Sequence, residues 1–139
     1  MKLLTFICAG AFIVFSAFMM AKKDKVPASS LYNTKWSLKK IYTETGMTKV
    51  NTIAFIKFNK EKNSAGGNGS CNSFGSNISV TNNKINFTNI FSTKMYCEDV
   101  QQTEDDFFRL LGKVNKFELT AKVLVLYQGK NAVLEFFAE

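Results

Sequence analysis

The stretch GGNGSCNSFG, residues 66–75, contains the first of two cysteines in matching settings, and the second ends TKMYC, residues 93–97. Cys71 and Cys97 are the only cysteines beyond the apolar N-terminus, and a strand-rich stretch lies between them. An even pair in a chain with export features predicts a disulfide bond rather than a catalytic or metal-binding pair. In the chain-entropy treatment, closing a loop of ~26 residues stabilises a fold by roughly 3.5 kcal/mol.

The N-terminus indicates the compartment. Met1-Lys2 is followed by a largely apolar run over residues 3–21 and then by lysines. This predicts a secretory signal over residues 1–21, and an uncleaved anchor is the alternative because the run approaches the ~20 residues that span a bilayer. Residues 22–30 are predicted as a polar linker and residues 31–139 as one domain. We therefore expect an exported protein, located in the periplasm, in the cell envelope or outside the cell.

Composition excludes several classes of function. The 139 residues carry a net charge of +7 but include no histidine, the usual general base, zinc ligand and pH switch. Arg109 is the only arginine among 18 cationic residues, and the lysines form no continuous basic stripe. Because base readout relies heavily on arginine, we expect no nucleic-acid partner.

No motif in the chain matches a known kind of catalytic or cofactor site. The glycines of residues 66–75 lack the Gly-Lys-Ser/Thr ending of a phosphate loop, and a predicted strand, not a helix, follows them. Cys71 as a nucleophile would need a base, and there is no histidine to supply one. The acidic residues of 98–106 lack the central glycine of an EF-hand loop. We expect no catalytic residue, no metal and no cofactor.

Alternation of apolar and polar residues predicts about seven strands, and helical spacing predicts one helix before the last three strands. The predicted strands are 34–42, 50–58, 71–80, 85–90, 117–119, 123–127 and 132–137. Residues 59–69 are polar and contain glycine, which predicts a turn or loop. The helix is predicted over 98–114, with acids early and bases late as the helix dipole favours. Glu104 falls on or near its apolar face, where it either hydrogen-bonds the backbone at the border of the core or lines a cavity.

Phenylalanine is abundant, with 14 residues in the chain. One interpretation is a filled core between a curved sheet and the helix. The other is a partly open barrel whose apolar interior accepts a lipid or a hydrophobic segment of a partner. The residues that would line such a cavity are Phe55, Phe87, Phe107, Phe108 and Leu111. The sequence leaves both interpretations open.

Taken in order, the motifs resemble the META/HslJ family of small exported bacterial domains, from about Leu31 to Phe137. The residues that carry the resemblance are Thr34, Trp36, Gly69, Asn72, Phe74, Thr93, Met95 and Glu104, together with the two cysteines. Two places depart from the family pattern. Ser70 stands where glycine usually precedes the first cysteine, and Ser76 and Ile78 replace a later glycine and tyrosine.

The resemblance implies a mainly β (α+β) fold, an antiparallel and incompletely closed barrel-like sheet packed on one helix. It also implies an envelope or secreted protein, linked by family name to the heat-shock response, in a family without an established catalytic activity. We therefore expect a non-enzymatic monomer that binds a hydrophobic ligand or a protein segment, with envelope proteins as partners. The alternative is a structural accessory domain of the envelope with no small-molecule ligand. Membrane contact is expected only through the N-terminal segment, if it is not cleaved.

Overall fold

The computed structural model describes residues 31–139, and within them the chain forms nine strands and one helix. Their bounds are β1 Trp36–Thr43, β2 Gly46–Lys49, β3 Phe55–Asn59, β4 Ser64–Asn68, β5 Ser73–Thr81, β6 Lys84–Ser92, α1 Gln101–Leu111, β7 Lys116–Leu119, β8 Val123–Gln128 and β9 Asn131–Ala138. All pairings are antiparallel, in the order β6-β5-β4-β3-β1-β9-β8-β7, and β2 pairs with β1 as a hairpin. The predicted fold class is confirmed.

The sheet curls into a half-barrel whose two ends touch at one place. Ile85 N donates to Asn115 O at 3.3 Å, and Phe117 N donates to Asn83 O at 2.9 Å. The start of β1 and the end of β9 also lie side by side, since Glu139 N donates to Lys35 O at 2.9 Å. Because the ends of the sheet share so few hydrogen bonds, the barrel is incompletely closed.

The core lies on the concave face of the sheet, where alternate strand residues point. Trp36, Leu38 and Phe136 are at most 1% exposed, and the indole N–H of Trp36 donates to Leu31 O at 3.0 Å. Phe107 of the helix packs into the core. The centre of its ring lies 5.4 Å from that of Phe74 in β5 and 6.3 Å from that of Phe136 in β9. Burial of each such side chain contributes about 1.5–3 kcal/mol. Trp36, Leu38 and Phe107 thus lie on the buried faces that the period-2 and helical patterns predict for β1 and α1.

The predicted loop over residues 59–69 was wrong, because β4 lies within it. This strand contains two glycines, which are depleted in strands, so its sequence has a weak β signal. The structure explains why Gly67 is there: a Cβ atom at this position would lie 2.1 Å from Phe55 O on the neighbouring strand. The short, fully exposed β2 was also missed, and the predicted strand 50–58 begins only at Phe55. The helix is shorter at both ends than the predicted 98–114.

The predicted signal and linker, residues 1–30, lie outside the described residues. Within residues 31–139, no helix has both the length and the apolar character needed to cross a bilayer.

Replacing Gly67 with alanine should destabilise the fold strongly, because the new methyl group would overlap backbone rather than a movable side chain. We expect G67A to lower the free energy of unfolding by ~1–3 kcal/mol or more in chemical denaturation. The control is G112A, at a helical φ of −67° where the nearest heavy atom to a Cβ is 3.7 Å away. That variant should change stability by less than ~1 kcal/mol. Equal losses in both variants would contradict the close-approach explanation.

Candidate functional site

A buried carboxylate joins the helix to the loop between β4 and β5. Glu104 of α1 is 2% exposed. Its Oε2 accepts the backbone N–H of Cys71 at 2.9 Å and that of Asn72 at 2.7 Å, while Oε1 accepts the Asn72 side-chain amide at 2.5 Å. All three partners are N–H donors, which matches a carboxylate that only accepts. Of the two interpretations of Glu104, the structure shows the one in which it borders the core and hydrogen-bonds the backbone.

The side chain of Asn72 connects this carboxylate to the segment that follows β6. Besides the bond to Glu104, its Nδ2 donates to Met95 O at 2.9 Å. Its Oδ1 accepts Thr93 Oγ1–H at 2.8 Å and Met95 N–H at 2.7 Å. The amide therefore uses both donors and both acceptor positions. We call Asn72, Glu104, Thr93 and Met95 the Asn72 clamp.

A covalent bond ties the same segments beside the clamp. Cys71 and Cys97 form a disulfide, with their Cα atoms 6.0 Å apart, which confirms the predicted pairing. The loop of residues 69–72 and the segment of residues 93–97 are thus held together by the disulfide and, independently, by the Asn72 side chain. Neither segment is a strand or a helix, so these ties replace regular backbone pairing there.

Close packing beneath the clamp requires a glycine. A Cβ atom on Gly69 would lie 2.6 Å from Phe108 Cζ and 2.9 Å from Glu104 Oε2. The Phe108 ring in turn packs against Phe74 at 5.4 Å and Phe107 at 5.3 Å. Six of the eight predicted motif residues, Gly69, Asn72, Phe74, Thr93, Met95 and Glu104, therefore meet in one place. Thr34 and Trp36 lie elsewhere, near the start of β1.

Comparison with models of known protein families identifies the family of this chain. The model of the META domain family matches residues 29–139. The chain belongs to the META domain family. An NMR structure of a protein from Burkholderia xenovorans is similar in fold, with a TM-score of 0.68, 17% identity, and coverage of 81% of this chain and 86% of that chain. A second NMR structure gives a TM-score of 0.61 at 19% identity and covers 81% of this chain and 95% of that chain. No match was found among curated proteins.

The residues predicted to line an apolar cavity lie on both faces of the sheet in this META domain. Phe87, Phe107 and Leu111 are buried in the core, and Phe108 packs on Gly69. Phe55 is on the outer face, because β3 alternates and Ile56 and Phe58 take the inner positions. The ammonium groups of Lys35 and Lys57 lie 4.9 and 5.9 Å from the centre of its ring. The periodicity of an isolated strand does not say which of its two faces is inside.

A groove of about 710 Å³ lies beside the start of β1 and the end of β3, which pair over only two residues. Its lining is mostly polar and includes Thr34, Lys35, Lys57 and Glu139. Among residues 31–139, no group of three or more histidine, cysteine or acidic side chains is placed to hold a metal ion. The groove therefore differs in chemistry from the apolar cavity considered in the sequence.

Exposed apolar side chains lie around the clamp. Ile53, Phe91, Met95 and Tyr96 are 72%, 69%, 60% and 76% exposed, and we call them the apolar rim. The start of β3, the end of β4, the start of β5 and the end of β6 lie side by side at one end of the sheet, as the register partners show. The four residues lie at or next to these strand ends. Sequence reasoning missed Ile53, Phe91 and Tyr96, since hydrophobic residue type alone does not separate exposed from buried positions.

A second polar cluster lies on the outer face of β1 and β9. Glu135 pairs with Lys40 at 2.8 Å and accepts the hydroxyl of Tyr42 at 2.8 Å. Burial alone would raise the pKa of Glu135, but these hydrogen bonds outweigh it and the pKa is lowered. Burial and the bond to Glu135 raise the pKa of Tyr42. Both pKa values move away from neutrality, so this cluster is suited to structural pairing rather than to proton transfer near pH 7.

One residue of the cysteine loop has a backbone conformation that favours glycine. Ser70 has φ 127° and is 5% exposed, and its hydroxyl is 2.6 Å from Thr52 Oγ1. The resemblance described above predicts glycine at this position. Ser76, the other such departure, has the one buried hydroxyl without a hydrogen-bond partner within residues 31–139. Ser70 therefore has a backbone conformation that is strained for a residue other than glycine, and burial of the unpaired Ser76 hydroxyl opposes folding.

Comparing S70G with S70A should isolate the backbone strain, because both variants lose the contact with Thr52. We expect S70G to be more stable than S70A by about 1–2 kcal/mol. Relief of ~1–3 kcal/mol of strain is partly offset by ~0.4–1 kcal/mol from the greater freedom of glycine in the unfolded chain. Thermal and chemical denaturation of both variants measure the difference. An alanine variant as stable as the glycine variant would show that Ser70 is not strained.

Glu104→Gln should lower the stability of the META domain, although the glutamate and glutamine side chains have nearly the same shape. In either orientation the glutamine NH₂ group would face an N–H donor, either from the backbone at residues 71 and 72 or from the Asn72 amide. We expect a loss of ~1–3 kcal/mol in the free energy of unfolding. The matched control is Asp105→Asn, on the exposed side of the same helix, with a change below ~0.5 kcal/mol. Equal effects of the two variants would contradict the role assigned to Glu104.

Proposed function

We propose that this META domain is an exported, non-enzymatic protein that binds an extended apolar segment of another protein at the apolar rim. The observation that carries the proposal is the rim itself, four large apolar side chains that are each at least 60% exposed. Clustered apolar exposure of this kind marks interaction surfaces in soluble domains, and tyrosine is enriched among the residues that dominate binding energy.

Preorganisation of the rim supports the proposal. Met95 is fixed through both its N–H and its C=O by the Asn72 amide, and Tyr96 stands between it and the disulfide-bonded Cys97. Side chains presented on a fixed backbone lose less conformational entropy when a partner binds. The strand ends that carry the rim lie in a row across the sheet, and an extended partner segment laid along this row can alternate its own apolar side chains between contact and solvent.

The internal use of the polar groups supports a non-enzymatic role. Glu104 and Asn72 are at most 3% exposed, and their side-chain hydrogen-bonding atoms are engaged with one another, with the backbone or with the Thr93 hydroxyl. Cys71 is in a disulfide, so it is not a free nucleophile. The disulfide also supports export, because such bonds form and persist in oxidising compartments. The apolar-ligand alternative has less support, since Phe87, Phe107 and Leu111 are buried among other core residues.

Site-specific photocrosslinking in the producing cells tests this proposal. A benzophenone-bearing amino acid replaces Tyr96 in the full chain, and the control places it at Phe137, an apolar residue on β9 that is 42% exposed. We expect a discrete protein adduct from position 96 and none from position 137, and Ile53→Ser should weaken the adduct. Peptides from the adduct, titrated into labelled protein, should shift the NMR signals of residues 53, 91, 95 and 96. No adduct at position 96, or equal adducts at both positions, would overturn the proposal.

A further inference from the structure

We propose that Asn72 is the positioning residue for the disulfide: in the folded, reduced chain it holds the segment of Cys97 against Cys71, so that the bond forms after folding and resists reduction. This inference does not depend on the proposed partner. It assigns to the Asn72 clamp a function in thiol chemistry beyond its contribution to stability.

Geometry places the clamp where it can act on both cysteines. Asn72 follows Cys71 directly in the chain, and its amide holds the backbone of Met95, two residues before Cys97. Met95 O lies 3.8 Å from Cys71 Sγ. The two hydrogen bonds between Asn72 and Met95 involve neither sulfur atom, so the first flank of Cys97 has an attachment to the Cys71 loop besides the S–S bond.

The second flank of Cys97 is held by the start of the helix. Cys97 N donates to Gln101 Oε1 at 3.4 Å, and Val100 N donates to Cys97 O at 3.1 Å. The helix is in turn joined to the Cys71 loop through Glu104. Both flanks of Cys97 are therefore held by hydrogen bonds in which neither sulfur atom takes part, and we expect these bonds to persist in the folded, reduced chain.

Because interactions in one folded state are thermodynamically coupled, the Asn72 clamp should affect the reduction potential of the disulfide. A contact that holds two thiols together in the folded, reduced protein raises the effective concentration of each at the other and shifts the equilibrium toward the disulfide. With glutathione disulfide as oxidant, one cysteine thiolate attacks its S–S bond and releases one glutathione thiolate. The second cysteine attacks the mixed disulfide and releases another, so that two electrons pass to glutathione and two protons to solvent. Removing the clamp should lower the equilibrium constant of this exchange.

The equilibrium between the full-length protein and a glutathione redox buffer measures that constant. We expect Asn72→Ala to lower it at least about tenfold, which corresponds to ~30 mV in the reduction potential. Thr93→Val removes one of the hydrogen bonds to Asn72 Oδ1 and should lower it about threefold. The control is Thr52→Val, which touches the same loop through Ser70 but does not reach the segment of Cys97, and it should change the constant by less than about twofold.

A second measurement keeps the proposal testable if Asn72→Ala does not fold. The double variant Cys71→Ala/Cys97→Ala should retain the NMR dispersion and near-ultraviolet circular dichroism of the oxidised protein, because folding precedes the bond. An unfolded double variant would overturn the proposal, as it would show that the disulfide organises the clamp. Equal constants for Thr93→Val and Thr52→Val would overturn it as well. The proposed partner plays no part in either result.

Discussion

The bond between Glu104 and the Cys71–Asn72 backbone is the contact on which the position of the helix depends. Apolar packing of Phe107 against the sheet is strong but non-directional, so it does not by itself set the helix register. The carboxylate does, because a buried acceptor must find its donors and two of these belong to the loop backbone. If this contact were broken, the buried N–H groups of Cys71 and Asn72 would lose their acceptor, and Oε2 of Glu104 would lose its donors. The side chain thus joins the helix to the curled sheet.

Sequence reasoning succeeded where one physical signal dominated. Helical spacing identified α1, alternation identified β1 and β5, and the paired cysteines predicted their bond. It failed at β4, because glycines chosen for close strand approach remove the side-chain pattern on which strand prediction rests. Sequence reasoning left two interpretations of Glu104 open, a hydrogen bond to the backbone or a place in a cavity wall. The structure decides between them, because the N–H donors that Glu104 binds lie more than 30 residues earlier in the chain.

The same comparison explains why the candidate site is a junction with an adjoining surface. Cys71, Asn72 and Glu104 are the residues that most resemble catalytic groups. Cys71 is bonded to Cys97, and the side chains of Asn72 and Glu104 are hydrogen-bonded to each other, to Thr93 or to the backbone. What remains accessible is apolar, at Ile53, Tyr96 and their neighbours. Which apolar side chains are exposed depends on how the sheet curls and cannot be read from residue type. The apolar rim could therefore be identified only from the structure. The family resemblance named the residues of the junction as motif residues but did not predict that they meet, and Met95 is the one residue of the rim that it named.

The double attachment of residues 93–97 bears on how such a domain resists proteolysis. Irregular, exposed segments are the usual sites of proteolytic cleavage, because a protease must draw several residues of extended backbone into its active site. Lys94 is exposed and would be an obvious target for a trypsin-like enzyme. Yet the backbone on one side of it is bonded to Ser73 through Thr93, and on the other side to Asn72 through Met95. Cleavage at Lys94 would require local unfolding of the cysteine loop. The hydrogen bonds that hold residues 93–97 therefore also protect this exposed segment from proteases.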